Sequence, residues 1–477
     1  MTKPYGNSTV PIGTGGYFAP ACSDARQEEL ALGRELEKLY QFAPHLRHEE
    51  IFAFFAPHSF LTNLPKLPGA ITTGGQSRAL LHEATHYRQA VTTFFGIYRF
   101  LTRLRTLSYL GILRTKARGR EVSAAEVDLL RGEHRANEQL IGNLSTKYTY
   151  ASADHKDTTG EASPFFGFAA LPGGERAPAY FKSDIYNQVH MYFITPRLLE
   201  ESMAMCLELA YGYGQQSYDI ARMSFDPEAF QYAAAVECLR LTTGWTDLGA
   251  LACAGYCLCD FALNHVTPAV AFLYGVQIVR DAFSSPVTLD NIGDIYACLS
   301  ERLEFAEVAE TRNDIYANLR ERVQRLEGAA DDLFDGAILA MLQTMNTAIV
   351  RRAADASYFS SMALRTMADT EFMNDFTPPL IYGGGEVATY DATDQRSRAV
   401  LFLSCAFHRL MEYLDKGGDD PSCPMYHMRR ACPFERTSAC ALAPWMRFPG
   451  AVAKEKLQVC TYKYVDHAFE SAPNGAN

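Results

Sequence analysis

The chain has 477 residues, 48% of them apolar and 21% charged, with a formal net charge of −11. That composition belongs to an ordinary soluble globular protein, with enough apolar material for a sizeable core that needs neither disulfides nor a metal to fold. There is no basic tract, which speaks against a nucleic-acid partner.

The N-terminus, MTKPYGNSTVPIGTGG, is polar and Gly-rich and has no apolar stretch of the secretory kind. The most apolar run, Leu248 to Leu263, is interrupted by Asp260. It falls short of the ~18–20 residues a membrane span needs, so a buried core helix is expected and no membrane partner. Of the twelve cysteines, eight are scattered between Cys22 and Cys405, and Cys253, Cys257 and Cys259 share that apolar run. This is the usage of reduced, buried thiols, and it predicts a cytoplasmic protein.

In chain order, residues 1–22 read as a loosely structured arm and 24–41 as an amphipathic helix with Ser23 as N-cap. Residues 51–56 (IFAFFA), ended by Pro57, predict a strand, and the Pro- and Gly-containing stretch 61–75 predicts loop. A long helix is expected from about Gln76, with Thr73 and Gln76 as a capping box and a break near Gly96. A second helix follows Ser123. Residues 145–190 predict hairpins and loops. Further helices are expected over 197–211, 226–243, 247–263, 266–283, 297–326, 330–354 and 394–415. The YGGGE stretch at Tyr382–Glu386 reads as a loop and lacks the strand–helix context of a phosphate-binding loop.

One segment carries chemistry. In LLHEATHYRQA, His82 and His86 are four residues apart. On a helix their side chains lie about 40° apart, on one face, so both imidazoles can reach one ion. Glu83 lies between them, near enough to a metal-activated water to take its proton. The flanking Ala79, Leu80, Leu81, Ala84, Thr85 and Tyr87 are uncharged, as a buried metal helix requires.

Two histidines leave a metal short of protein ligands. The segment PRLLEESMAMCLELAYGYG supplies the candidate. Pro196 suits the first turn of a helix, and Glu201 and Glu208 stand seven residues apart on one face. Glu201 neighbours apolar Leu198, Met205 and Leu209, where a carboxylate is costly unless paired or metal-bound. Glu200 reads instead as an acid complementing the helix dipole.

His82-Glu83-Ala84-Thr85-His86 with the later Glu201-Ser202-Met203-Ala204 resembles the zincin metallopeptidases. The likeness is to their gluzincin branch, and to a scattered set of bacterial proteins with a similar pair of helices. It spans about residues 50–225. The resemblance implies that His82, His86 and Glu201 are zinc ligands, that Glu83 is the general base, and that the substrate is a peptide or protein. Three features depart from the family. Arg88 replaces an apolar residue. The interval from His86 to Glu201 is long and implies an insertion. Met205 stands where related enzymes carry the acid that orients a histidine, a task Glu208 could take over. Candidates to stabilise an oxyanion are His190, Tyr192, Tyr211 and Tyr213.

Cys423, His427, Cys432 and Cys440 could bind a structural zinc, but their spacing also fits reduced cysteines or one disulfide. His265 reads as a satisfied helix-end histidine, and 301–326 as a solvated helix face with i,i+4 pairs rather than a binding site.

The expected fold is mainly α, with a zincin-like α+β catalytic core, a small sheet and a following helical bundle. The expected units are an N-terminal arm and helix (1–45), a metal-binding core (46–225), a helical domain (226–415) and a Cys-rich tail (416–477). Metal-dependent hydrolysis is the expected activity. Two other classes use the same residues. One is a non-haem iron(II) oxygenase, in which two histidines and a carboxylate hold Fe2+. The other is a non-catalytic binding module in which the metal only stabilises the helices.

Overall fold

The computed structural model describes residues 10–11, 17–18, 54–56, 61–63, 74–117, 177–183, 188–224, 227–304, 306–327, 333–365, 380–383 and 386–387, with a few helical residues between 125 and 134. The expected helices at 24–41 and 394–415 and the Cys423–Cys440 cluster lie outside them, as do Thr73 and the His190 side chain.

The described protein is mainly helical. Strands β1 (Val10–Pro11) and β2 (Tyr17–Phe18) pair within the N-terminal arm. A four-stranded sheet has the order β3 (Phe54–Ala56), β4 (Leu61–Asn63), β7 (Leu380–Gly383), β8 (Glu386–Val387). β4 and β7 run parallel, with Leu61 opposite Leu380, and the outer pairs are antiparallel. Two expected loops are thereby corrected. Leu61–Asn63 returns along the 54–56 strand and then gains a partner from far along the chain. The YGGGE stretch carries paired strand residues, Tyr382 opposite Val387 and Gly383 opposite Glu386. In both cases tertiary pairing overrides a local loop signal.

The helices are α1 (Gly74–Thr92), α2 (Phe94–Ala117), α3 (Pro196–Ala210), α4 (Gln215–Ser224), α5 (Pro227–Thr243), α6 (Leu248–Leu263), α7 (Pro268–Ala282), α8 (Ile292–Leu303), α9 (Ala306–Glu327), α10 (Leu333–Ala354) and α11 (Tyr358–Arg365). A hairpin of β5 (Ala177–Ser183) and β6 (Gln188–Ile194) precedes α3. The helix expected over 297–326 is two, because the chain turns at Glu304 between α8 and α9.

α6 is the hub. Its sequence, LGALACAGYCLCDFAL, is rich in small side chains, so α3, α5, α7 and α8 approach it closely, and it is buried from Ala250 to Leu263. Asp247 caps its start, accepting from the Gly249 and Ala250 amides. Cys206, Cys238, Cys253, Cys257 and Cys259 are buried free thiols, and burial pushes those of Cys206, Cys257 and Cys259 above their ordinary value. Phe230, Tyr256 and Phe272 are enclosed in the same region, where truncation to alanine costs about 3–5 kcal/mol each. Among the described residues no single helix is long and apolar enough to cross a membrane.

The break after α1 falls at Thr93, three residues before the expected Gly96. A residue 170 positions on fixes it, because Asn264 at the end of α6 accepts a hydrogen bond from the Phe94 amide at 2.9 Å. Gly96 permits the bend. A Cβ there would lie 2.4 Å from the Gln89 and Ala90 carbonyl oxygens.

Candidate metal centre

α1 is buried along its length from Leu81 to Thr92, with only Ala84 partly exposed. The hydroxyls of Thr85 and Thr92 are satisfied by carbonyls four residues back in the helix. α3 packs across α1. It starts where Thr195 accepts from the Leu198 amide and Pro196 occupies the first turn. This crossing brings His82, His86 and Glu201 together, with one potential ligand atom from each within 4.8 Å of the others. His82 Nε2 is 3.3 Å and His86 Nε2 3.4 Å from the same oxygen, Glu201 Oε2. All three residues are at most 3% exposed.

Each of the three is held from behind. His82 Nδ1 donates to Glu208 Oε1 at 2.5 Å. His86 Nδ1 donates to Gln89 Oε1 at 2.8 Å, and Gln89 Nε2 donates to the Glu200 carbonyl at 2.8 Å. The Arg197 guanidinium pairs with Glu201 Oε1, leaving Oε2 for the histidines. Partners that fix a ligand's orientation in this way are what tune metal affinity.

Glu208 thus occupies the place behind a histidine that the Met205 departure left open. Its own position depends on Gly214. That residue has φ +74°, and a Cβ on it would come within 2.9 Å of Glu208 Oε2. Glu200 departs from expectation. It lies beyond the first turn of α3 and sits buried between Arg99 at 2.9 Å and Arg197 at 3.4 Å. Arg99 comes from α2, and nothing in the local sequence announces it.

Glu83 is different from every other acid here. It is fully enclosed, and neither carboxylate oxygen has a hydrogen-bond partner. Burial pushes its carboxyl above the ordinary range, against the pull of His82 and His86. Burial alone would lower the His82 pKa, but Glu201 and Glu208 outweigh it and raise it to about 10. Glu201 goes the other way. Burial opposes its ionisation, but Arg197 and the histidines hold it well below the usual carboxylate range.

The donor set fits a divalent transition metal. Two imidazoles and one carboxylate are zinc or iron(II) ligands.

Of the candidates for stabilising an oxyanion, Tyr192 is a packing residue, stacked on Phe230 with centroids 4.1 Å apart. The Tyr211 hydroxyl donates to the Ala363 carbonyl. Tyr213 is half-buried at the turn after α3. Tyr232 of α5, which no sequence motif marks, has its ring 5.8 Å from that of His82.

Compared with protein-family models, curated proteins and solved structures, the chain matches none.

Proposed function

We propose that this chain is a zinc-dependent hydrolase with a zincin-like core, acting on a peptide bond. Glu83 carries this reading. An enclosed carboxyl with both oxygens unpartnered is costly. This one stands beside a cluster able to hold a metal, where a general base is needed.

His82 Nε2, His86 Nε2 and Glu201 Oε2 would hold the ion. Three protein ligands are the number catalytic zinc sites use, whereas structural sites use four. Bound zinc would supply Lewis-acid polarisation of water and of the substrate carbonyl. Glu83 takes the proton from the attacking water and delivers it to the departing amine. A carboxyl held above its ordinary pKa suits both halves of that exchange. Glu208 and Gln89 keep the imidazole Nε2 atoms pointed inward, and Arg197 restricts Glu201 to one free oxygen.

The test is elemental analysis of purified protein together with turnover of a peptide library read by mass spectrometry. One zinc per chain, lost in His82→Ala and Glu201→Ala, and cleavage lost in Glu83→Gln with zinc retained, are the expected results. Glu201→Ala binding zinc as tightly as wild type would overturn the ligand set. Iron near one equivalent with oxygen-dependent turnover would replace hydrolysis with oxidation.

A further inference from the structure

The segment 301–326 reads in sequence as a solvated face, yet one side of α9 lines a cavity of about 380 Å³. The other walls come from the end of α6, from α8 and from α10. The volume lies at the small end of the ~300–1,000 Å³ range of small-molecule pockets.

Three guanidinium groups reach this cavity, from Arg312, Arg320 and Arg352, against one carboxylate, Glu304. Arg352 is committed elsewhere, pairing through both terminal nitrogens with buried Asp260 at 2.7 and 2.8 Å. Arg312 holds Glu304 at 2.8 Å. Arg320, exposed to solvent where it lines the cavity, has no hydrogen-bond or ion-pair partner among the described residues. His265, also on the wall, adds no charge at neutral pH. Burial lowers its pKa, and Nδ1 accepts from the Thr267 amide while Nε2 faces the Leu303 carbonyl. Phe261, Tyr296, Tyr316 and Ile349 give the same cavity an apolar and aromatic share of its lining, about equal to the polar share that includes Asn264, Ser300 and Asn313. Surplus positive charge beside aromatic surface is the complement of a small organic acid.

We propose that this cavity binds a small carboxylic acid with an apolar body, its carboxylate taken by Arg320 and Arg312 and its body by the aromatic wall. The site stands apart from the metal cluster but is built against the end of its helix. Arg352 Nε donates to the Thr92 carbonyl at 2.8 Å, and the Tyr316 ring meets Phe94 edge-on at 6.0 Å. The proposal does not depend on the hydrolase reading.

Calorimetric titration of full-length, metal-free protein with phenylacetate and hexanoate tests it. Inorganic phosphate and benzyl alcohol separate the anion from the apolar body. Binding of either acid is expected, with both comparison compounds far weaker. Arg320→Gln should weaken it by about tenfold or more, the value of a lost charge-assisted hydrogen bond. Glu304→Gln, which releases Arg312, should tighten it. Ala353→Phe places a ring in the cavity from an exposed backbone position and should abolish binding with an unchanged melting curve. No heat with either acid, an Arg320→Gln affinity equal to wild type, or benzyl alcohol or phosphate binding as tightly as the acids would each overturn the proposal.

Discussion

Two buried acids on different helices end in opposite circumstances. Asp260, on α6, is fully provided for. Arg352 grips both its oxygens, Tyr296 donates its hydroxyl to one of them, and that hydroxyl also meets Ser360 at 2.7 Å. Glu83, on α1, is equally enclosed and has no hydrogen-bond partner at all. Folding stability explains the first arrangement and not the second. A buried charge that is completely paired ties helices together, here α6, α8, α10 and α11. A buried acid left bare lowers stability, which supports the catalytic role proposed for Glu83.

The contrast can be broken by experiment. Glu83→Gln should reduce turnover by about 10²–10⁴-fold, the usual contribution of a general base, while the melting temperature stays level or rises. A large fall in stability would place Glu83 with Asp260 as a structural acid. Arg352→Met leaves Asp260 buried and uncompensated and should cost about 3–5 kcal/mol in denaturant unfolding. A loss below 1 kcal/mol would show that the Asp260 network is not what holds those helices.

Stability and metal binding should respond oppositely to proton concentration. His82 has its folded pKa raised from 6.5 to about 10 in the metal-free protein. It therefore contributes stability that is complete below pH 6.5 and is lost as pH rises towards 10. Metal must displace that proton, so metal affinity should climb over the same window. Unfolding and metal titrations of EDTA-treated protein between pH 6 and 10 check both signs, and His82→Gln should flatten the two curves. The smallest effect is assigned to Gly214→Ala. It crowds Glu208 and should weaken metal binding about tenfold, the scale of a disturbed ligand partner, with the ligands themselves untouched. Unchanged affinity would mean that Glu208 does not set the His82 geometry.

The legible part of this centre was what a single helical face records. His82, Glu83 and His86 within five residues, and Glu201 with Glu208 seven apart, follow from helical periodicity. Gln89, three residues after His86, and Arg197, four before Glu201, carry the same kind of signal and went unread as partners. What periodicity does not record is which helix crosses which. Glu200 was misread because its partner Arg99 lies 101 residues away. The break after α1 was placed at Gly96 rather than Thr93 because Asn264 decides it. The 61–63 strand was missed because half its pairing comes from residue 380 onward. The long helix over 297–326 divides at Glu304, where no glycine or proline marks the turn.

The hydrogen bond from Arg352 to the Thr92 carbonyl joins positions 260 residues apart. At ribosomal speeds of roughly 5–20 residues per second, the imidazoles emerge tens of seconds before the arginine that secures their helix. During synthesis the histidine pair waits, first for its acid from α3 and then for the clasp on its last turn. The nascent chain therefore passes through a long interval in which two imidazoles are present and their enclosure is not, and the cluster is secured only once α10 has been made.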